Sequence, residues 1–156
     1  MDRKNRIEKN IDGLLLNSLQ NIEVDKGNVL HALKATSEGY FGFGEAYFSM
    51  IEYGAIKAWK RHQKMILNLI VPVGGIKFVV YDDRMDSPTY NHFQEVLLSR
   101  ESNYSRLTIP PLVWMGFQGL NKGENILLNV ADIVHSPNEV EKKSLDDLDY
   151  DWSTKI

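Results

Sequence analysis

A chain of 156 residues, 43% hydrophobic and 25% charged, has the composition of a single soluble globular domain spanning 1–156. It has no cysteine, which excludes disulfides, thiolate metal sites and cysteine nucleophiles, and its net charge of −3 argues against a general nucleic-acid binder. The start, Met1-Asp2-Arg3-Lys4-Asn5-Arg6, lacks the apolar run of a signal peptide, and no stretch approaches about 18 uninterrupted apolar residues. The expectation is therefore a cytoplasmic protein with neither a nucleic-acid nor a membrane partner.

In chain order, the charged residues 2–10 have room for a short helix. Residues 11–19 suit a strand or one helical turn, with Gly13 weighing against the helix, and Leu14-Leu15-Leu16 forms an apolar patch. Residues 40–51 are aromatic and suited to strand pairing, and most of Tyr40, Phe41, Phe43, Tyr47 and Phe48 are expected in the core. A basic stretch follows: Lys57, Lys60, Arg61 and Lys64. It interleaves with Ile56, Ala58 and Trp59, so some of its side chains must face an apolar layer.

Strands are predicted at 66–73, 76–82, 93–98, 106–109, 112–118 and 125–132. The first two are separated by Gly74-Gly75, which reads as a tight hairpin because primed turns need positive φ. Asp86-Ser87-Pro88, Glu101-Ser102-Asn103, Pro110-Pro111 and Asn121-Lys122-Gly123 separate the rest. Residues 138–148 have room for a second short helix, and the acidic run from Glu139 to Asp151 reads as solvated surface. Many short strands at this spacing predict an all-β fold, with two sheets closed into a jelly-roll barrel and short terminal helices.

Cations carried on strands into a barrel mouth suit an anionic small molecule. Regular alternation places Lys60 and Lys64 on one face and Lys57 on the other, so all three converge on one cavity only if the strand bulges between 57 and 60. His62 shares a face with Lys60. Glu45, an acid in an otherwise apolar strand, is paired with Lys57 or Lys60 or else lies on an outer face, because a lone buried charge is too costly. Trp59 or Trp114 could stack on a base or sugar. His31, His92 and His135 read as ordinary turn or edge residues.

The succession Gly54-x-x-Lys57-x-x-Lys60, Gln63-Lys64-Met65-Ile66, Gly74-x-Ile76-Lys77-Phe78-Val79-Val80-Tyr81-Asp82-Asp83-Arg84, Ser87-Pro88-Thr89, Ile109-Pro110-Pro111, Gly116-Phe117 and Tyr150-Asp151-Trp152 resembles the dTDP-4-dehydrorhamnose 3,5-epimerase family. Its most specific piece is Asp82-x-Arg84-x-x-Ser87-Pro88-Thr89. The resemblance covers about residues 11–152. It implies a cupin-like homodimer acting on a nucleotide-linked 4-keto-6-deoxyhexose in bacterial O-antigen or lipopolysaccharide synthesis.

The catalytic positions depart from the family. Where it has Arg-Gly-Leu-His, ending in the catalytic base, this chain has Lys57-Ala58-Trp59-Lys60. Its active-site lysine falls on Lys64, its general-acid tyrosine on Asn129, and its histidine before Gly-Phe on Met115. Epimerisation beside a ketone needs a positioned base and acid. Histidine can serve as base at neutral pH, whereas lysine must be lowered by about three units through desolvation or neighbouring cations. Lys60 and His62 are thus the expected proton-moving residues. Lys57, Lys64, Glu45, Tyr47, Trp114 and Asn129 are the expected substrate-binding ones. The His-x-His pattern of metal-binding cupins is missing, so no metal or other cofactor is expected. Two functions follow: an epimerase or isomerase with an altered acid–base pair, or a protein that keeps the anion site and binds without chemistry.

Overall fold

Side-chain alternation decides what each strand gives the core. In β7 (Gly75–Asp82), Ile76, Phe78 and Val80 enter one apolar cluster, while Val79 and Tyr81 join a second on the opposite face. The computed structural model describes residues 10–153. Its other strands are β1 (Leu15–Ser18), β2 (Asn21–Ile22), β3 (Val29–Leu30), β4 (Glu45–Met50), β5 (Ile56–His62), β6 (Leu67–Val73), β8 (His92–Ser99), β9 (Ser105–Ile109), β10 (Trp114–Gly119), β11 (Ile126–Ala131) and β12 (Val140–Lys142). Two antiparallel five-stranded sheets, β1-β9-β6-β11-β4 and β12-β5-β10-β7-β8, form the expected jelly roll, with β2-β3 as a small separate ribbon.

The main core lies between the sheets and includes Leu67, Leu69 and Val71 of β6, Leu107 and Ile109 of β9, and Val96 and Leu98 of β8. Both outer faces are partly covered. On the first sheet the buried Arg106 donates to the carbonyls of Ala32 (3.2 Å) and Glu38 (2.8 Å) and to Asn68 Oδ1 (3.1 Å), tying down the long segment before β4. On the second, Leu148, Tyr150 and Trp152 pack over Trp59, Val79, Phe93 and Trp114.

Gly74-Gly75 does not make a hairpin. β6 pairs with β9 and β11, and β7 pairs with β8 and β10, so the glycines carry the chain from one sheet to the other. Gly74 has φ +78°, and a Cβ there would lie 2.2 Å from the Glu124 carbonyl oxygen. The glycine signal was real, but it marks a close crossing.

The helix expected over 138–148 is replaced by two 3-10 turns, Pro137–Glu139 and Leu145–Asp147, on either side of β12. The edge of β5 draws the intervening residues into an extended pairing. The helix expected over 2–10 falls, but for Asn10, outside the described residues. The aromatic segment also departs from expectation. Phe41, Phe43 and Phe48 are 65%, 65% and 70% exposed: Phe48 lies on β4, the outermost strand of its sheet, and Phe41 and Phe43 lie in the segment that leads into it.

The Asp82 motif is a structural lock. The fully buried Asp82 carboxylate accepts from Arg84 Nε (2.8 Å), Arg84 Nη2 (2.9 Å), Ser87 Oγ (2.5 Å) and Thr89 Oγ1 (2.7 Å). Arg84 also donates to the Asp12 carbonyl, and Thr89 Oγ1 accepts from the Asp12 amide, which seats the chain entering β1.

Candidate active site

Apolar packing between the sheets gives way to a cleft of about 510 Å³ walled by both. Leu67, Leu69, Phe78, Met115, Phe117 and Leu127 supply its apolar surface. Tyr47 and Ser49 of β4 and Asn129 of β11 come from one sheet. Lys57, Lys60 and His62 of β5 and Lys142 of β12 come from the other, and His135 from the connection after β11. None of the lining residues is acidic, so the wall carries a positive field for an anion. The volume is that of an ordinary small-molecule site.

The basic strand meets this cleft because it bulges where convergence requires. Met115 pairs with Lys60 and Phe117 with Lys57, leaving Ala58 and Trp59 opposite the single residue Gly116. The extra residue brings Lys57 and Lys60 to the same side and sends Trp59 into the outer cluster. A Cβ on Gly116 would lie 2.5 Å from the Ala58 Cβ and 3.0 Å from Cζ2 of Trp152. Gly116→Ala is therefore expected to cost about 1–3 kcal/mol through overpacking and to lower the thermal midpoint by several degrees, measured by calorimetry. An unchanged midpoint would show that the bulge does not depend on this close approach.

Across the cleft, Asn129 stands directly opposite Tyr47 in the β11–β4 register, and its Nδ2 donates to the Tyr47 hydroxyl at 2.8 Å. That bond uses the phenolic oxygen as acceptor and leaves its O–H able to donate. Asn129 is buried, and its Oδ1 has no hydrogen-bond partner among the described residues. The chain thus carries a phenol beside position 129, supplied by the neighbouring strand.

On β5, burial is the main influence lowering the Lys60 pKa, reinforced by the charges of Lys142 and Lys57. His62 also lies below its ordinary value, chiefly through burial, with Glu139 pulling the other way and Lys60 and His135 adding to the depression. A depressed imidazole is neutral at pH 7 and able to accept a proton. Its Nδ1 lies 3.7 Å from Glu139 Oε1. Glu139, 7% exposed, is no part of a solvated acidic face: its Oε1 accepts the backbone N–H groups of Lys64 (2.9 Å) and Met65 (2.8 Å), and these bonds outweigh its desolvation to hold its pKa low.

Three expected residues do not reach the cleft. Lys64 lies exposed in the bend after β5, because the strand ends at His62 and alternation stops there. Glu45 accepts the His135 amide at 3.1 Å instead of pairing with a lysine. Trp114 is buried on the outer side of its sheet, where Nε1 donates to Asp83 Oδ2 at 2.8 Å; Trp59 is held in the same cluster. Lys57 lines the cleft but also donates to the Met50 carbonyl at 2.7 Å. Reading the acidic run as surface passed over Lys142 and Glu139. The Lys142-Lys143 pair that interrupts this run was the available signal, since a strand would turn one lysine inward and the other outward.

A jelly roll with a cationic, acid-free cleft between its sheets defines a cupin-type small-molecule site. No family model matches the chain. It is 38% identical to a dTDP sugar isomerase from Desulfovibrio desulfuricans, with a TM-score of 0.90 over 94% of each chain. It is 30% identical over 122 residues to the probable low-salt glycan biosynthesis epimerase Agl13 of Haloferax volcanii, covering 77% of this chain and 78% of that protein. The dTDP-4-dehydrorhamnose 3,5-epimerase of Bacillus anthracis shares the fold, with a TM-score of 0.81 at 22% identity over 96% of this chain and 90% of that one. The chain belongs to the family of these dTDP-sugar isomerases and glycan-biosynthesis epimerases, and it shares its fold with dTDP-4-dehydrorhamnose 3,5-epimerases.

Proposed function

We propose that the protein is a sugar-nucleotide epimerase or isomerase of polysaccharide synthesis, acting on a nucleotide-linked 4-keto-6-deoxyhexose. One observation carries this reading: groups able to accept a proton, His62 and Lys60, stand on one sheet, and a phenol, Tyr47, stands on the other. A base on one wall removes the proton from a carbon beside the ketone, and the carbonyl takes the electron pair as an enolate. An acid on the facing wall returns a proton to that carbon from the opposite side, inverting it. In the isomerase variant, the proton returns to a neighbouring position. Tyr47, its oxygen held by Asn129, is the acid. The unpaired Asn129 Oδ1 accepts a sugar hydroxyl, and Lys57 holds a ligand oxygen. The named relatives, an epimerase of glycan synthesis and a dTDP-sugar isomerase, support the same chemistry.

The test is incubation with nucleotide-linked 4-keto-6-deoxyhexoses, followed by proton NMR of the sugar ring. New epimer or isomer signals are expected, and unchanged spectra for every keto sugar that binds would leave a non-catalytic binding protein.

We also read the protein as a cytoplasmic homodimer. Its first sheet ends in two edges, β1 with the half-exposed Leu16 and β4 with the exposed Phe48, and uncovered strand edges gain by pairing. Light scattering is expected to give about twice the 17.9 kDa of one chain. A single-chain mass at micromolar concentration would refute the dimer.

A further inference from the structure

The β5–β12 pair treats its two faces differently. On the outward face Arg61 stands opposite Glu141 and is ion-paired with it. The guanidinium also bonds Asp83 at 2.9 Å and stacks on Trp114, 4.7 Å from the ring centroid. On the inward face Lys60 stands opposite Lys142, and among the described residues neither lysine forms an ion pair. Like charges directly opposite in an antiparallel ladder are destabilising. The nearby carboxylates are committed elsewhere: Glu139 to the amides of Lys64 and Met65, Glu141 to Arg61 and Gln63, and Glu45 to the His135 amide. Both lysines open onto the same acid-free cleft.

A ladder that neutralises its outward pair and leaves its inward pair as two bare cations is built for a bridging anion. We propose that Lys142 is a ligand-binding residue that, together with Lys60, clamps the diphosphate of the bound nucleotide sugar. The inference rests on the nucleotide-sugar reading of the cleft and adds to it the residue and strand that hold the phosphates. Lysine suits the task as a compact point charge with three donors, and bridging oxygens turn the repulsion between the two ammonium groups into two attractions. An ammonium paired with phosphate stays protonated, so the clamp makes His62 the proton acceptor of β5. It also gives β12 a function: the strand carries a cation to the cleft mouth.

Lys143 supplies an internal control. It follows Lys142 directly and carries the same charge, but it turns outward, its Nζ 5.0 Å from the Trp114 ring centroid. Titration calorimetry with thymidine diphosphate and uridine diphosphate would compare the intact protein with Lys142→Ala, Lys142→Arg and Lys143→Ala. Loss of a charge-assisted contact should weaken nucleoside diphosphate binding by about 10- to 100-fold in Lys142→Ala. Lys142→Arg should restore most of it, and Lys143→Ala should stay within about twofold of the intact protein.

The thermal midpoint without ligand separates binding from folding. Removing one of two opposed cations should leave it equal or higher in Lys142→Ala, while the rise produced by added nucleoside diphosphate shrinks. Equal binding by the intact protein and Lys142→Ala would overturn the clamp while leaving the nucleotide-sugar reading intact. Equal weakening by Lys142→Ala and Lys143→Ala would overturn it too, reducing the effect to net charge. Failure of the intact protein to bind either diphosphate would instead remove the nucleotide-sugar reading itself.

Discussion

Asp82→Ala is expected to destabilise the protein by about 3–5 kcal/mol, the usual consequence of removing one partner from a buried charged network. At this chain length that lowers the thermal midpoint by on the order of 10 °C. The cause is local: Arg84, Ser87 and Thr89 all donate to one fully buried carboxylate, and their bonds hold the loop that seats Asp12. Burial alone would raise the Asp82 pKa, but these bonds outweigh it and bring it from 3.8 to about 2. Because the folded value lies below the unfolded one, the stabilisation is fully present above about pH 4 and is lost as pH falls through about 2. It amounts to about 2 kcal/mol. Urea unfolding of the intact protein and Asp82→Asn at several pH values checks this, since their difference in stability should shrink by that amount on acidification. A difference independent of pH would show that the network stabilises by shape and not by charge.

The second large effect is catalytic. His62→Ala is expected to slow proton removal at saturating substrate by about 10² or more, the contribution of one positioned general base. Lys60→Ala should act mainly on KM, since its ammonium is assigned to the phosphates. Tyr47→Phe should leave proton removal in place and reduce product formation, because the phenol returns the proton on the far side. Should Lys60→Ala abolish proton removal at saturation while His62→Ala leaves it untouched, the roles of the two residues are exchanged. The depressed Lys60 is chemically able to fill that role.

The strands were readable in the sequence because short apolar runs are closed by turn residues. In β7, Ile76, Phe78 and Val80 face the main core and Val79 and Tyr81 the outer cluster, the near-continuous apolar run of a strand covered on both faces. Which strands pair was not readable at Gly74-Gly75. A glycine pair serves a hairpin and a sheet-to-sheet crossing equally well, and only the partner that Gly74 meets at Glu124 distinguishes them. The site was half visible. Lys57, Lys60 and His62 converge because Gly116 admits a bulge, a condition sequence could state but not decide. Lys64 was misplaced by the assumption of unbroken alternation, which fails where β5 ends, whereas Trp114 turns outward on a regular β10 whose Phe117 faces the cleft. Lys142 was hidden because composition averages over a segment, whereas a three-residue edge strand separates neighbouring side chains onto opposite faces. Tyr47 became more than a pocket aromatic only when the β4–β11 register set its hydroxyl beside Asn129.

The central claim is that this cleft moves protons on a keto sugar, and heavy water tests it most directly. Incubated in deuterium oxide with a nucleotide-linked 4-keto-6-deoxyhexose, the intact protein is expected to place deuterium at a carbon beside the ketone, and His62→Ala to do so about 10²-fold more slowly or worse. Deuterium incorporation at the rate of the protein-free control, with a sugar nucleotide that calorimetry shows to be bound, would contradict it.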